Sequence, residues 1–152
     1  MYQRVLVPLD GSPVAEGILP FIEQIAGPLD IEIILLHVVP PAALDAVTMA
    51  KEIGAEGPII ADLNAQGYLE PLVGSLKAKG VRAGARVRIG DPAREIVAAS
   101  KELKADMIAM TTHGCIGLGR LLFGSVAEAV LRASPIPVFL MRMTGTALAS
   151  AA

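Results

Sequence analysis

The sequence predicts a doubly wound α/β fold: a mostly parallel five-stranded sheet with helices on both faces. Three observations carry this. Strand-like apolar runs alternate with helical segments along the whole chain, the pattern of repeated βα units. Ile31–Val39 is long, rich in branched residues and without polar alternation, as in a parallel strand covered on both faces. Ser12–Pro13 and Asp91–Pro92 each follow a strand-like run, and each pairs an N-cap residue with a proline suited to the first helical turn.

The elements follow in order. Arg4–Leu9 reads as a short buried strand, and Asp10–Gly11–Ser12–Pro13 as the turn into a helix. That helix is expected to run to about Ala26 and end at Gly27–Pro28, with Ile18, Phe21, Ile22 and Ile25 on one face. After Ile31–Val39, the stretch Ala42–Lys51 suggests a short helix and Glu52–Pro58 a loop. Ile59–Lys79 reads as a long helix with Leu63, Leu69, Leu72 and Leu76 inward, in spite of Gly67, Pro71 and Gly74, and Gly80 closes it. Val81–Ile89 alternates, with Arg82, Arg86 and Arg88 on one face, which suits a strand near a sheet edge. The helix opened by Asp91–Pro92 ends near Leu103, and Ala105–Thr111 is a buried strand. Val126–Ala133 is an amphipathic helix, Ser134–Pro137 breaks the chain, and Val138–Met143 is the last strand. Residues 1–143 are read as one domain and 144–152 as a flexible tail.

Composition narrows the function. At 152 residues the chain suits one domain with a sizeable core. It is 53% hydrophobic but only 3% aromatic, so Val, Ile, Leu and Ala build that core. No apolar run reaches the ~18 residues of a membrane span, and the short N-terminal run, ending at Asp10, is no signal peptide. A net charge of −2 argues against nucleic-acid binding, which rests on Lys and Arg. The single cysteine, Cys115, excludes an internal disulfide and any C-x-x-C site. A cytoplasmic protein is the economical expectation.

The chemistry is expected at Thr111–Ser125, TTHGCIGLGRLLFGS. A strand, a loop with Gly114, Gly117 and Gly119, and a helix opening at Gly124–Ser125 form a physical recipe for holding an anion. Glycine lets the backbone approach a ligand, successive N–H groups line a concavity, and the helix adds unpaired N–H groups with the positive end of its dipole. A second reading stands beside this one: Ser125 and Glu128 form S-x-x-E, a capping box that starts a helix with no ligand. On an open α/β sheet, ligands bind beyond the carboxyl ends of the strands where the strand order reverses. Pro8–Ser12, Val38–Pro41 and Thr111–Gly114 all end at that edge.

VLVPLDGS at Val5–Ser12, LLHVV at Leu35–Val39, GDPAREIV at Gly90–Val97 and the THG–GLGRLLFGSVAEAVLRASPIPV pattern at Thr112–Val138 resemble the universal stress protein family. The resemblance fails only in Ala42–Gly80. It implies a flavodoxin-like (Rossmann-like) sheet of order 3-2-1-4-5, and a homodimer through Val138–Met143. It also implies an adenine-nucleotide site, for ATP or AMP, possible with Mg²⁺ at Asp10. Pro8, Leu9 and Asp10 would face adenine and ribose, and Val38 would close over the base. Met110, Thr111 and His113 would line the site, while Gly114, Gly124, Ser125 and Val126 would hold phosphates. The family's G-x2-G-x9-G-[ST] loop falls here on Thr111, Gly114, Gly124 and Ser125. The first glycine is therefore a threonine, which costs backbone freedom but adds a hydroxyl.

Single residues leave alternatives open. Asp10 suits ribose hydroxyls or Mg²⁺, and equally a turn in which it bonds its own backbone. His37 reads as a core histidine bonded to a backbone group. His113 suits a phosphate or a strand end, Arg120 a phosphate or solvent, and Cys115 a loop filler or a reactive thiol. Walker, G-x-S-x-G and H-E-x-x-H patterns are absent, so the usual hydrolase routes have no residues to use. The expected function is nucleotide-linked regulation through a dimer or partner surface. The alternatives are a dimeric scaffold without nucleotide, or a very slow ATPase or phosphotransferase.

Overall fold

The computed structural model describes residues 1–43, 45, 65–113 and 124–143. The element order is β1 (Arg4–Pro8), α1 (Pro13–Glu16), α2 (Leu19–Ala26), β2 (Glu32–Val39), α3 (Ala65–Ala78), β3 (Ala83–Ile89), α4 (Pro92–Glu102), β4 (Met107–His113), α5 (Ser125–Ala133) and β5 (Val138–Met143). The five strands form one sheet of order β3-β2-β1-β4-β5, and every pairing is parallel.

Two apolar clusters sandwich the sheet. Val5, Val7, Ile33 and Leu35 point to one face, with Ile18, Ile22, Leu69 and Leu76 from α2, α3 and the turn before α2. Leu6, Ile34, Leu36 and Ile108 point to the other, with Ile96 and Ala99 of α4 and Ala127 and Val130 of α5. This odd–even division is the two-residue period of a strand buried on both sides.

The pairing of β1 is asymmetric. It follows β2 from Arg4↔Glu32 to Pro8↔Leu36, and the Leu9 N–H adds a bond to the Leu36 carbonyl at 2.8 Å. It meets β4 only at Val5↔Met107 and Leu6↔Ile108. Beyond Ile108, β4 continues with β5 to His113↔Met143. The chain leaves β1 towards α1 and α2 on one face, and enters α5 on the other. A crevice therefore opens between the carboxyl ends of β1 and β4, where a doubly wound sheet reverses its order.

Capping chemistry explains most of the helix ends. The Ser12 hydroxyl accepts the Ala15 N–H at 3.2 Å, with Pro13 at the first helical position. Asp91 does the same for the Arg94 N–H at 3.1 Å, ahead of Pro92. The α3 helix ends at Gly80 as expected: Val81 N–H bonds Leu76 C=O at 3.0 Å and Gly80 N–H bonds Lys77 C=O at 2.9 Å, the paired bonds of a Schellman motif. The same pair of bonds closes the helices before Asp30 and Lys104, two non-glycine residues held at φ 53° and 52°.

The structure corrects several expectations. The first helix is two: α1 stops at Glu16 and α2 restarts at Leu19. Pro20 has no N–H to return to the Glu16 carbonyl, so a continuous helix would lose that bond. After the restart Leu19, Ile22 and Ala26 are buried, whereas Phe21 and Ile25 are 51% and 40% exposed. The helix ends at Ala26 with Gly27 as its C-cap, as expected, and Asp30 then supplies the positive φ that turns the chain. At the break, a Cβ on Gly17 would meet the methyl of Met143, the far end of a flexible side chain that can give way. Arg86 and Arg88 lie in β3, but Arg82 precedes it and reaches Asp30, Nε to Oδ1 at 2.9 Å. Arg88 sits between Glu95 and Glu102, 2.6 Å from each, and ties β3 to α4.

Both edge expectations hold, with β3 on one rim and β5 on the other. Pro71 lies within α3, and Leu69 and Leu76 are buried. The expectations for Leu63, for Glu52–Pro58, for most of Ala42–Lys51, and for the tail lie outside the described residues. Among the described residues no helix is long and apolar enough to cross a membrane.

Candidate functional site

The crevice holds a cavity of about 550 Å³, within the ~300–1,000 Å³ usual for small-molecule sites. Several chain segments wall it, four of them carrying sequence-predicted residues. The end of β1 supplies Pro8, Leu9 and Asp10; the end of β2 supplies Val38; the end of β4 supplies Met110 and Thr111; the start of α5 supplies Gly124, Ser125 and Val126. Residues separated by more than a hundred positions thus share one wall because β1 and β4 are neighbours in the sheet. Thr111 stands at the side of the cavity, which remains open. His113 ends β4, and its side chain lies outside the described residues, as do Gly114, Cys115 and Arg120.

The start of α5 differs from the capping-box expectation. Gly124, not Ser125, is the N-cap residue, and no side chain caps the helix. Ser125 is the first helical residue. The Glu128 N–H bonds the Gly124 carbonyl at 3.0 Å, while the Glu128 carboxylate turns away to Arg132 at 2.6 Å. Gly124 has φ 77° and ψ 157°, a conformation essentially reserved for glycine. A one-residue shift therefore cancels the box. The N–H groups of the first turn and the Ser125 hydroxyl are left without side-chain caps among the described residues, at the cavity wall.

Charge in this wall is sparse. Asp10 is the one formally charged side chain among the described lining residues. Its Oδ1 accepts from the Ser12 N–H at 2.9 Å and from the Ser12 hydroxyl at 2.5 Å, the turn geometry that was one of its two readings. That leaves Oδ2 without a hydrogen bond among the described residues. A negatively charged ligand here depends on main-chain N–H groups and the α5 dipole. Among the described residues no three His, Cys, Asp or Glu side chains converge as a metal cage.

Pro40 falls in the Val38–Pro41 stretch expected at this edge, but reasoning from sequence missed other wall residues, among them His37, Pro92 and Ile96. Pro92 and Ile96 belong to the GDPAREIV stretch already singled out, but no spacing rule brings α4 beside β1. His37 is buried and bonds the Leu9 carbonyl through Nδ1 at 2.8 Å, as expected of a core histidine. It also borders the cavity. Tyr68 of α3 meets its ring edge-to-face, with centroids 5.7 Å apart. Among the described residues the Tyr68 hydroxyl is buried and makes no hydrogen bond of good geometry, although Glu16 and Gly11 lie close to it. Burial, then the nearby Glu16 carboxylate, pushes the phenol well above its ordinary range.

A parallel α/β sheet with a cavity at its switch point and a bare helix N-terminus in the wall defines a protein of the doubly wound class. Comparison with known proteins narrows the class to a family. The model of the universal stress protein family matches residues 1–142, and the chain belongs to that family. Universal stress protein MJ0531 of Methanocaldococcus jannaschii is 32% identical over 147 residues, covering 93% of this chain and 83% of that protein. The solved structure of MJ0577, from the same organism, superposes with a TM-score of 0.76 at 27% identity, covering 95% of this chain and 99% of that one. A universal stress protein crystallised in complex with cAMP superposes with a TM-score of 0.65 at 25% identity, covering 94% and 98%.

Proposed function

We propose that this protein binds an adenine nucleotide, ATP or AMP, in the crevice between β1 and β4, and acts as a regulatory homodimer in stress response. The observation that carries the reading is the uncapped start of α5. Gly124 is held where only glycine is comfortable, Ser125 has lost its capping role, and both face a cavity of nucleotide-compatible size. An anion is the natural cap for such a terminus. The cAMP complex of a related chain supports the adenine half of the assignment.

In this reading Pro8, Leu9 and Asp10 hold base and ribose, Val38 covers the base, Met110 and Thr111 line the site, and Gly124, Ser125 and Val126 hold phosphate. His113 and Gly114 complete the phosphate side, and Asp10 Oδ2 is the oxygen placed to meet a ribose hydroxyl or a nucleotide-bound Mg²⁺. The function is binding, with at most slow hydrolysis. Residues 1–143 act as one domain. The dimer forms through β5, an edge strand whose Phe139 is 39% exposed.

Mass spectrometry of the denatured, freshly purified protein, followed by calorimetry with AMP and ATP, tests the reading. Co-purified adenine nucleotide, or a saturable binding isotherm, is the expected result. A clean blank with no binding would leave only the scaffold.

A further inference from the structure

The charges of α4 are antisymmetric about Ala98. Arg94 and Glu102 lie four residues to either side of it with opposite signs, and Glu95 and Lys101 lie three residues to either side, again opposite. Asp91 and Lys104, seven and six residues out, are opposite once more. Within one copy these charges do not balance locally. Arg88 is a single cation held between two carboxylates, Glu95 and Glu102, so that triad keeps a negative charge in excess, and Glu102 is exposed. Arg94 and Lys101 are exposed too, and form no ion pair among the described residues. Arg94, Ala98, Lys101 and Glu102 all border a shallow groove between α4 and α5, whose other lining residues are Asp91, Ala93, Val97, Ala129 and Ala133. No residue of this groove lines the crevice.

We propose that this face is a contact between two copies of the chain, with their α4 helices packed antiparallel about a two-fold axis at Ala98. A two-fold contact is self-complementary: it sets each residue level with the one equally far out on the other side. Arg94 then meets the second copy's Glu102, and the same pair forms again across the axis. The unpaired guanidinium and the excess charge of the triad thus neutralise one another twice. Lys101 comes level with the second copy's Glu95, and Lys104 with its Asp91 to within one residue, about 1.5 Å of helix rise. Alanine at the axis and in the groove lets the helices approach to the short end of the ~8–10 Å usual between packed helices. A partner of one charge sign would satisfy Arg94 and Lys101 and oppose Asp91 and Glu102, or the reverse; a second copy satisfies both. The contact does not depend on the nucleotide reading. It is also separate from β5, because α4 covers a face of the sheet and β5 is its rim.

Sedimentation equilibrium of the wild-type chain and of Arg94→Glu/Lys101→Glu tests the contact. The double reversal sets carboxylates against carboxylates across the axis. It is expected to halve the mass of the wild-type assembly, or to weaken its association by about tenfold or more, whether or not copies also pair through β5. Both side chains are exposed, and an unchanged circular dichroism spectrum is the check that the variant folds. The position of the axis is read by cross-linking. In a Cys115→Ser background, Ala98→Cys brings two thiols together at the axis, where a disulfide can span them, and a covalent dimer is expected on oxidation. Lys77→Cys, on α3, is expected to give none, and adding Arg94→Glu/Lys101→Glu to Ala98→Cys is expected to abolish the dimer. A wild-type chain that stays monomeric, a mass unchanged by the reversal, or cross-linking no faster at Ala98→Cys than at Lys77→Cys overturns the proposal and leaves the groove to an unrelated partner.

Discussion

The Asp10 carboxylate and Ser12 are joined twice: Oδ1 accepts the Ser12 N–H at 2.9 Å and the Ser12 hydroxyl at 2.5 Å. The same hydroxyl accepts the Ala15 N–H, so one oxygen organises both the crevice wall and the start of α1. Asp10→Asn keeps an acceptor at Oδ1 and is expected to stay within about 1 kcal/mol of wild-type stability, since only the charge assistance is lost. Asp10→Ala breaks both bonds and is expected to cost about 1–2 kcal/mol. Urea denaturation of the two variants checks the difference, and calorimetry reads the loss of AMP affinity in Asp10→Ala.

Ser125 separates the capping-box reading from the observed geometry. A true N-cap serine replaced by alanine costs about 0.5–2 kcal/mol. As the first helical residue without a capping bond, Ser125→Ala is expected to leave stability within about 0.5 kcal/mol while weakening AMP about fivefold, the equivalent of one hydrogen bond. Gly124→Val should do the reverse in part. It strains a glycine-only backbone by about 1–3 kcal/mol and also closes the phosphate end, so binding is expected to disappear. Thermal denaturation beside calorimetry distinguishes the two behaviours.

Lys104 is held at φ 52°, a conformation that costs an L-residue about 1–2 kcal/mol. Its amide closes the Schellman turn onto Lys101 at 3.2 Å, and Ala105 completes it on Ser100 at 2.9 Å. Lys104→Gly keeps both bonds and relieves the strain, offset by the greater freedom of glycine in the unfolded chain. A net gain of about 0.5–1 kcal/mol in chemical denaturation is expected. Asp30, in the same conformation, would show less, because its carboxylate also holds Arg82.

Tyr68 predicts an alkaline limit. Its phenol is pushed up first by burial and then by Glu16, so the folded chain holds that proton more tightly than the unfolded chain does. The stabilisation is complete below the unfolded value of about 10, and is lost as the pH rises through the folded one. Tyr68→Phe removes a buried hydroxyl that makes no hydrogen bond of good geometry among the described residues. It should leave stability at pH 8 unchanged or raised by up to about 1 kcal/mol, and flatten the decline above pH 10. Denaturation curves at pH 8 and 10.5 provide the check.

Much of the fold is legible in the chain because its signals are local and strong. The unbroken apolar run of β2 announces a central strand, and two N-cap–proline pairs date the starts of α1 and α4. What escapes is set by single residues acting against the pattern. Apolar spacing put Phe21 and Ile25 on one face with Ile18 and Ile22, but the helix restarts at Leu19 ahead of Pro20 and leaves Phe21 and Ile25 facing water. The S-x-x-E at Ser125 has the right letters one residue out of phase, because Gly124 takes the cap. Asp30 and Lys104 turn the chain where glycine would be expected, since the two closing hydrogen bonds outweigh the local cost. His37 was legible as a buried histidine bonded to a backbone group; that it borders the cavity follows only from the sheet order.

The notch at Gly17 carries a mechanical implication. The α1 rod is four residues long, about 6 Å at 1.5 Å per residue. One tip is Ser12, clasped by Asp10 at the mouth of the crevice; the other is the notch that receives the methyl of Met143. A side chain introduced at position 17 would first displace that methyl, the far end of a flexible side chain, so a change made beside α1 would be felt at the outermost strand.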